Sequence, residues 1–122
     1  MKIPTILIVD DSAAMRSLLM STLEGLGSIR VLQAASGFEA LRALPREQVN
    51  LILTDINMPD INGLELLTFL RNSPLYQSIP VVIISTEGSR KDIEKGLAIG
   101  ANEYLVKPFN PEQLLTVVSR FI

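Results

Sequence analysis

Five apolar runs of strand length alternate along this chain with segments whose apolar residues recur at helical spacing. The runs that start at Leu51 and Pro80 are continuous and aliphatic, as in strands that are buried on both faces of a sheet. Parallel strands need long crossover connections, which are usually helices. The alternation therefore predicts an α/β fold in which helices cover both faces of a parallel sheet. The predicted strands are residues 5–9, 29–35, 51–54, 80–84 and 103–106.

One of the predicted helices differs from the others. Charged residues cover most of the segment 89–99, and only Ile93, Leu97 and Ala98 are predicted to face the sheet. A glycine inside this segment lowers its helix propensity by about 1 kcal/mol relative to alanine. We therefore expect this helix to be the least firmly docked of the set.

The chain has 122 residues, a length typical of one domain, so we expect residues 1–122 to form a single domain. Its net charge of −2 argues against nucleic-acid binding, which requires a basic surface. No apolar run approaches the roughly 20 residues of a membrane span. These features favour a cytoplasmic protein that binds neither nucleic acid nor membrane.

The sequence contains no cysteine and no histidine. Their absence excludes disulfides, thiol catalysis, histidine general bases and metal sites built from these side chains. A bound ion must then be held by oxygen ligands, so Mg²⁺, Ca²⁺ and Mn²⁺ are the candidates.

Polar side chains follow four of the five predicted strands. Asp10 and Asp11 follow the first strand, and Asp55 follows the third. Ser85 ends the fourth strand, and Lys107 follows the fifth. Because the carboxyl ends of parallel strands form one edge of the sheet, we expect these side chains to lie close together.

Three carboxylates at one edge repel one another. Two charges about 4 Å apart cost about 4 kcal/mol at an effective dielectric constant of about 20, and Lys107 offsets only part of this repulsion. Magnesium uses one or two carboxylates and adds phosphate oxygens to its shell, so the set predicts magnesium-assisted phosphate chemistry. Asp10 and Asp11 are suited to ligation, and Asp55, alone after a central strand, is the candidate nucleophile. One such aspartate often only caps a helix, but that explanation does not fit the whole set.

Four segments resemble the motifs of a known family, in the same order and at the same spacing. The sequence resembles, over its whole length, the receiver domain of two-component response regulators. The resemblance implies a flavodoxin-like fold, a doubly wound five-stranded parallel sheet of order 2-1-3-4-5 with five flanking helices. The 122 residues leave no room for an output domain beyond the fifth helix, so we expect none. The matching segments are Ile8-Val9-Asp10-Asp11-Ser12, Thr54-Asp55-Ile56-Asn57-Met58-Pro59 with Gly63, Val82-Ile83-Ile84-Ser85-Thr86, and Gly100-Ala101 with Tyr104-Leu105-Val106-Lys107-Pro108-Phe109.

The resemblance assigns the phosphoryl and metal chemistry to the strand-end residues. Asp55 would accept a phosphoryl group from a phosphohistidine, which must belong to another protein because this chain has no histidine. Asp11, Asp55 and the backbone carbonyl of Asn57 would bind Mg²⁺ (or Mn²⁺), and Asp10 would assist through water. Lys107 would bind the phosphoryl oxygens, and its bond to the following proline would be cis.

The resemblance also implies a switch. Ser85 would donate its hydroxyl to the phosphoryl group, with Thr86 as the competing candidate. As Ser85 moves, Tyr104 would turn inward and fill the vacated space. Asn57 and Glu87 would tune the rate of dephosphorylation. The chain would thus not be a conventional enzyme, although it would catalyse its own phosphorylation and dephosphorylation.

The implied partners are a sensor or chemotaxis histidine kinase as donor and a downstream target. The receiver would be a monomer that binds its target through the fourth helix, fifth strand and fifth helix. The segment 10–16 resembles chemotaxis receivers in particular, which implies a flagellar switch protein as target and allows a phosphatase as a further partner. The alternatives are a phosphorelay intermediate, a phosphate sink, or a receiver excised from a larger regulator.

Two other classes of function fit the sequence less well. A haloacid-dehalogenase-like phosphohydrolase has a second acid two residues after the nucleophile, where this chain has Asn57. A flavodoxin-like cofactor binder needs a first loop that accepts phosphate, and Asp10 with Asp11 would repel it.

Overall fold

The computed structural model describes residues 3–122 as one parallel five-stranded sheet flanked by helices. Its strands are β1 (Thr5–Val9), β2 (Arg30–Ala34), β3 (Leu51–Thr54), β4 (Val81–Ser85) and β5 (Glu103–Val106). Their order is β2-β1-β3-β4-β5, which confirms the predicted topology. Within the described residues, no helix is both long and apolar enough to cross a bilayer.

Each of the five α-helices within residues 3–122 begins after a side chain that caps it. In all five helices, the capping oxygen accepts a hydrogen bond from a backbone N–H of the first turn, an interaction of about 1 kcal/mol. The caps are Ser12, Ser36, Asn62, Ser89 and Asn110. The helices are α1 (Ala13–Leu23), α2 (Gly37–Ala43), α3 (Gly63–Arg71), α4 (Arg90–Ile99) and α5 (Pro111–Ser119).

The sheet has an apolar core on each face. Successive strand residues point to opposite faces, so Leu7 joins one core and Ile8 the other. The first core packs against α2 and α3, and the second packs against α1 and α5. Both strand residues are fully buried, as the continuous apolar runs predict.

Helix α4 packs differently from the prediction. Leu97 is 44% exposed and Ala98 is exposed, so the expectation that they face the sheet was wrong, whereas Ile93 is partly buried. The buried residue of the helix is Gly96. A Cβ atom there would lie 2.8 Å from Ile83 Cδ1, so the missing side chain lets the helix backbone approach the sheet.

The strand ends on which the site depends are adjacent. β1 and β3 are neighbours, and the Asp55 N–H donates to the Val9 carbonyl at 2.9 Å. β4 and β5 are neighbours too, and the Lys107 N–H donates to the Ser85 carbonyl at 2.8 Å. The strand order reverses between β1 and β3, and open α/β sheets form binding crevices at such a switch point.

Candidate functional site

Three aspartates meet at the carboxyl edge of the sheet. Asp10, Asp11 and Asp55 each place a carboxylate oxygen within 4.8 Å of the other two. Asp10 is buried, Asp55 is half-buried and Asp11 is exposed, so the cluster opens to solvent on one side. An all-oxygen set with an open side fits Mg²⁺, which uses few carboxylates and keeps several waters.

Lys107 reaches this cluster from the end of β5. Its Nζ lies 3.0 Å from Asp10 Oδ2 and 3.3 Å from Asp55 Oδ2, and its side chain is only 11% exposed. The Lys107–Pro108 peptide bond is cis, as the resemblance implies. One ammonium thus faces three carboxylates, and the cluster keeps a net negative charge that a divalent cation would neutralise.

The environment of Asp55 disfavours its charged form. Burial raises the pKa of this carboxyl above its ordinary value, and the Asp10 carboxylate raises it further. The Lys107 ammonium and the Ile56 N–H, which donates to Asp55 Oδ1 at 2.7 Å, lower the pKa but do not cancel the effect of burial. Such a perturbed acid in a polar crevice is typical of functional sites.

Asp10 is held by contacts that the strand-end pattern does not predict. Its Oδ1 accepts a hydrogen bond from the Ser12 N–H at 2.9 Å. Its backbone carbonyl accepts one from Arg16 Nη1 at 2.7 Å. Arg16 follows Met15 in the segment that resembles chemotaxis receivers, but nothing in the helical spacing shows that its guanidinium turns back to the end of β1.

Ser85 lies next to the cluster and contacts Glu87 and Tyr104. Its side chain is fully buried, and its hydroxyl accepts a hydrogen bond from the Glu87 N–H at 3.1 Å. The Tyr104 hydroxyl donates to the Glu87 carbonyl. Burial raises the pKa of Tyr104, and its hydrogen bond with Ser85 works in the opposite direction. The competing hydroxyl, Thr86, is exposed.

Asn57 and Glu87 meet at the rim of the site. Asn57 Nδ2 donates to Glu87 Oε1 at 3.1 Å, so this bond joins the loops that follow β3 and β4. Asn57 is exposed and Glu87 is partly buried. The family resemblance points to both positions but not to a contact between them, and the structure shows that they interact directly.

The loop after β3 is fixed by two further residues. A Cβ atom on Gly63 would lie 2.1 Å from the Asp55 carbonyl oxygen, so only glycine allows α3 to begin so close to Asp55. Asp60 accepts hydrogen bonds from the Gly37 and Phe38 N–H groups, both at 3.1 Å, and ties the loop to the start of α2. Sequence reasoning did not find this role of Asp60, because it depends on a contact between distant segments.

Comparison with known proteins shows which family has this arrangement. The family model described as the response regulator receiver domain matches residues 6–119. The chain belongs to the response regulator receiver family. Receivers of this family are signalling switches rather than classical enzymes, and they use Mg²⁺ at an acidic pocket.

Individual relatives carry chemotaxis names. The receiver is 42% identical over 110 residues to a chemotaxis protein CheY homolog of Campylobacter jejuni, covering 89% of this chain and 85% of that protein. It is 40% identical over 110 residues to chemotaxis protein CheY1 of Helicobacter pylori, covering 89% of each chain. The solved structure of chemotaxis response regulator CheY4 of Vibrio cholerae matches with a TM-score of 0.90 at 36% identity, covering 99% of this receiver and 100% of that chain. Receivers of this CheY-like kind interact with histidine kinases and with downstream targets.

Proposed function

We propose that this receiver is a phosphorylation-dependent switch in which Asp55 accepts a phosphoryl group from a phosphohistidine of a partner histidine kinase. The observation that carries the proposal is the cluster of Asp10, Asp11 and Asp55, whose carboxylate oxygens lie within 4.8 Å, with Lys107 3.0–3.3 Å from two of them. In this arrangement an acceptor carboxylate lies beside groups that bind a cation and a group that binds an anion.

The transfer forms one bond and breaks one. A carboxylate oxygen of Asp55 forms the new P–O bond while the P–N bond of phosphohistidine breaks, and the imidazole nitrogen keeps the bonding pair. Lys107 binds oxygens of the transferring group and offsets their negative charge. The protein contributes positioning and electrostatic stabilisation, which is the usual division of work in phosphoryl transfer.

The metal ligands in this proposal are Asp11, Asp55 and the backbone carbonyl of Asn57, and Asp10 acts through water. Bound Mg²⁺ (or Mn²⁺) supplies positive charge that neutralises the carboxylates and the phosphoryl oxygens. Asp10 also anchors Lys107 through the 3.0 Å ion pair, so it contributes to the anion-binding side as well.

The switch begins at Ser85 and Tyr104. Phosphorylation adds a charge of about −1.5 to −2 and three acceptor oxygens at the end of the sheet. The Ser85 hydroxyl turns toward these oxygens, and Tyr104, already bonded to the Glu87 carbonyl, settles into the space behind it. This changes the surface of α4, β5 and α5, where targets bind. Moving the population from 1:99 to 99:1 requires about 5.5 kcal/mol of differential stabilisation.

Asn57 and Glu87 set the lifetime of the phosphorylated state. Their hydrogen bond crosses the rim between the loops after β3 and β4. Water that hydrolyses the aspartyl phosphate must enter past this rim, so the bridge slows the approach. Dephosphorylation is then a second reaction that the receiver catalyses on itself.

The biological role we propose is chemotaxis, supported by the relatives named above. The receiver, a single cytoplasmic domain and a monomer, would take its phosphoryl group from a chemotaxis histidine kinase and bind a flagellar switch protein, with a phosphatase as a further partner. Phosphorylation-dependent binding of purified flagellar switch protein tests this role. Phosphoryl transfer onward to a histidine phosphotransfer protein, without such binding, would instead identify a phosphorelay intermediate.

Incubation with acetyl phosphate and Mg²⁺, followed by intact-mass measurement, tests the acceptor. We expect one phosphoryl group on the wild type, none after EDTA treatment and none on Asp55→Asn. Asp60→Asn is the matched control, since Asp60 lies in the same loop but outside the cluster. Phosphorylation of Asp55→Asn to the wild-type level would contradict the assignment.

A further inference from the structure

We propose that Arg16 is a positioning residue that fixes the geometry of the magnesium ligand Asp11. Arg16 lies in the first turns of α1, and its Nη1 donates to the Asp10 backbone carbonyl at 2.7 Å. Its Nε donates to Gln33 Oε1 on the neighbouring strand β2 at 3.1 Å. The guanidinium therefore joins the end of β1 to β2 immediately beside the acidic cluster.

The carbonyl that Arg16 binds lies beyond the ladder of the sheet. The pairing of β1 with β2 ends at Val9 and Ala34, and the Asp10 N–H makes one further bond to the Ala34 carbonyl at 3.1 Å. The Asp10 carbonyl accepts its hydrogen bond from Arg16 and not from the backbone N–H of a neighbouring strand. Arg16 thus supplies the donor that a neighbouring strand would otherwise provide, at the point where the chain turns from β1 toward α1.

This bond acts on Asp11 because a peptide unit is planar. The Asp10 carbonyl lies in the same rigid plane as the Asp11 nitrogen and Cα, so a fixed carbonyl fixes the position from which the Asp11 side chain projects. Asp10 itself does not depend on Arg16 in this way, since its two carboxylate oxygens are bound by Ser12 and Lys107.

Asp11 has no other support among residues 3–122. It is exposed, and its carboxylate makes no hydrogen bond or ion pair with the described part of the chain. Its place in the cluster, within 4.8 Å of the other two carboxylates, is therefore set through its backbone. Groups that orient metal ligands contribute strongly to metal affinity, typically 10–100-fold.

The arrangement requires arginine rather than any cation. A guanidinium presents several donors in a fixed plane, so one side chain binds the Asp10 carbonyl and Gln33 at the same time. Lysine has a single ammonium on a flexible stem and does not reproduce this paired geometry.

The inference rests on the proposed magnesium site, so Mg²⁺ alone is the probe. Calorimetric titration at pH 7 should show that Arg16→Gln and Arg16→Lys each weaken Mg²⁺ binding by about 10-fold. Gln33→Ala should weaken it less, because the bond to the Asp10 carbonyl remains. Arg90→Gln is the matched control, since Arg90 is an exposed arginine at the start of α4 that pairs with Glu94, and we expect wild-type affinity.

A second readout separates positioning from stability alone. In Arg16→Gln without metal, the chemical shifts of the Asp10 carbonyl carbon and the Asp11 amide nitrogen should move more than those of the β3 and β4 backbones. The rate of phosphorylation by acetyl phosphate should fall at low Mg²⁺ and recover at saturating Mg²⁺. If Arg16→Gln unfolds, Arg16→Lys and Gln33→Ala carry the test.

Two outcomes overturn the inference. They are an unchanged Mg²⁺ affinity in Arg16→Gln, whether or not its folding stability falls, and wild-type Mg²⁺ affinity in Arg16→Lys. A wild type that binds no Mg²⁺ would instead contradict the proposed function, so the two failures are distinguishable.

Discussion

The hydroxyl of Tyr104 donates a hydrogen bond to the backbone carbonyl of Glu87. The side chain of Glu87 in turn accepts from Asn57 at the rim of the site, and its N–H donates to the Ser85 hydroxyl. Glu87, in the loop after β4, thus contacts Asn57 in the loop after β3, the buried hydroxyl of Ser85 and the hydroxyl of Tyr104 on β5. This residue provides a direct physical link between the acidic cluster and the surface of β5.

Replacing Tyr104 with phenylalanine removes the hydroxyl that bonds the Glu87 carbonyl and leaves the aromatic ring in place. We expect Tyr104→Phe to lower the free energy of unfolding by about 1 kcal/mol, because the Glu87 carbonyl loses its donor. The rate of phosphorylation by acetyl phosphate should not change, since the Tyr104 hydroxyl makes no bond to Asp55. Urea denaturation and intact-mass kinetics measure the two effects. Tyr76→Phe is the control, because the Tyr76 hydroxyl makes no hydrogen bond within residues 3–122, and an equal loss in both variants would contradict the assignment.

The bond between Asn57 and Glu87 predicts a coupled effect on phosphoryl lifetime. Asn57→Ala and Glu87→Ala should each speed the loss of the phosphoryl group by about 5-fold, equivalent to about 1 kcal/mol in the barrier. The double variant should be no faster than either single one, because both changes remove the same bridge. Intact-mass decay after removal of acetyl phosphate measures these rates. Glu94→Ala removes an exposed carboxylate of α4, and we expect its phosphoryl group to decay at the wild-type rate. A decay rate in the double variant equal to the product of the two single effects would show that the Asn57–Glu87 bond does not control the lifetime.

The sequence predicted the sheet and the acidic cluster because both follow from local patterns. Continuous apolar runs identify buried strands, and the topology of a parallel sheet brings their polar ends to one edge. That reasoning placed Asp10, Asp55 and Lys107 together, and the ion pairs confirm it. This prediction did not require knowledge of any contact between specific side chains.

Contacts that depend on side-chain direction were beyond such patterns. Arg16 turns back from α1 to the end of β1, and Asp60 reaches across to α2. Helix α4 shows the same limit: the hydrophobicity of Leu97 predicted the wrong face, because the close fit of Gly96 against Ile83 orients the helix. A glycine that allows close approach carries no hydrophobic signal.

Gly63 should be intolerant of any side chain. A Cβ atom at this position would lie 2.1 Å from the Asp55 carbonyl oxygen, and a backbone atom cannot move aside as a flexible side chain can. We expect Gly63→Ala to lower the free energy of unfolding by about 3 kcal/mol and to slow phosphorylation, since the acceptor residue must shift. Gly25→Ala is the control, because its Cβ would meet Leu115 Cδ1 at an ordinary 3.6 Å. Equal urea midpoints for the two variants would refute this account.

The raised pKa of Asp55 predicts that its charge opposes folding. Burial is the main cause of this raised pKa. Asp55→Asn should therefore raise the free energy of unfolding at pH 7, measured in EDTA. We expect a gain of about 1 kcal/mol, the usual size of a single stabilising substitution. As the pH falls through the raised pKa toward the ordinary value of 3.8, the folded wild type takes up its proton before the unfolded chain does, and the advantage of the variant should disappear.

Asp60, in the loop that follows β3, has a lowered pKa, whereas the pKa of Asp55 is raised. Burial works to raise the pKa of this carboxyl, but hydrogen bonds from the Ile61, Phe38 and Gly37 N–H groups and the Ser36 side chain outweigh it and hold the pKa below 3.8. Asp60→Asn should therefore lower stability at pH 7, and its deficit should shrink as the pH falls below 3.8 through the lowered pKa. Urea denaturation from pH 7 to pH 3 compares both variants with the wild type. Stability changes of the same sign in the two variants at pH 7 would contradict the electrostatic explanation, because it assigns opposite effects to these two carboxylates.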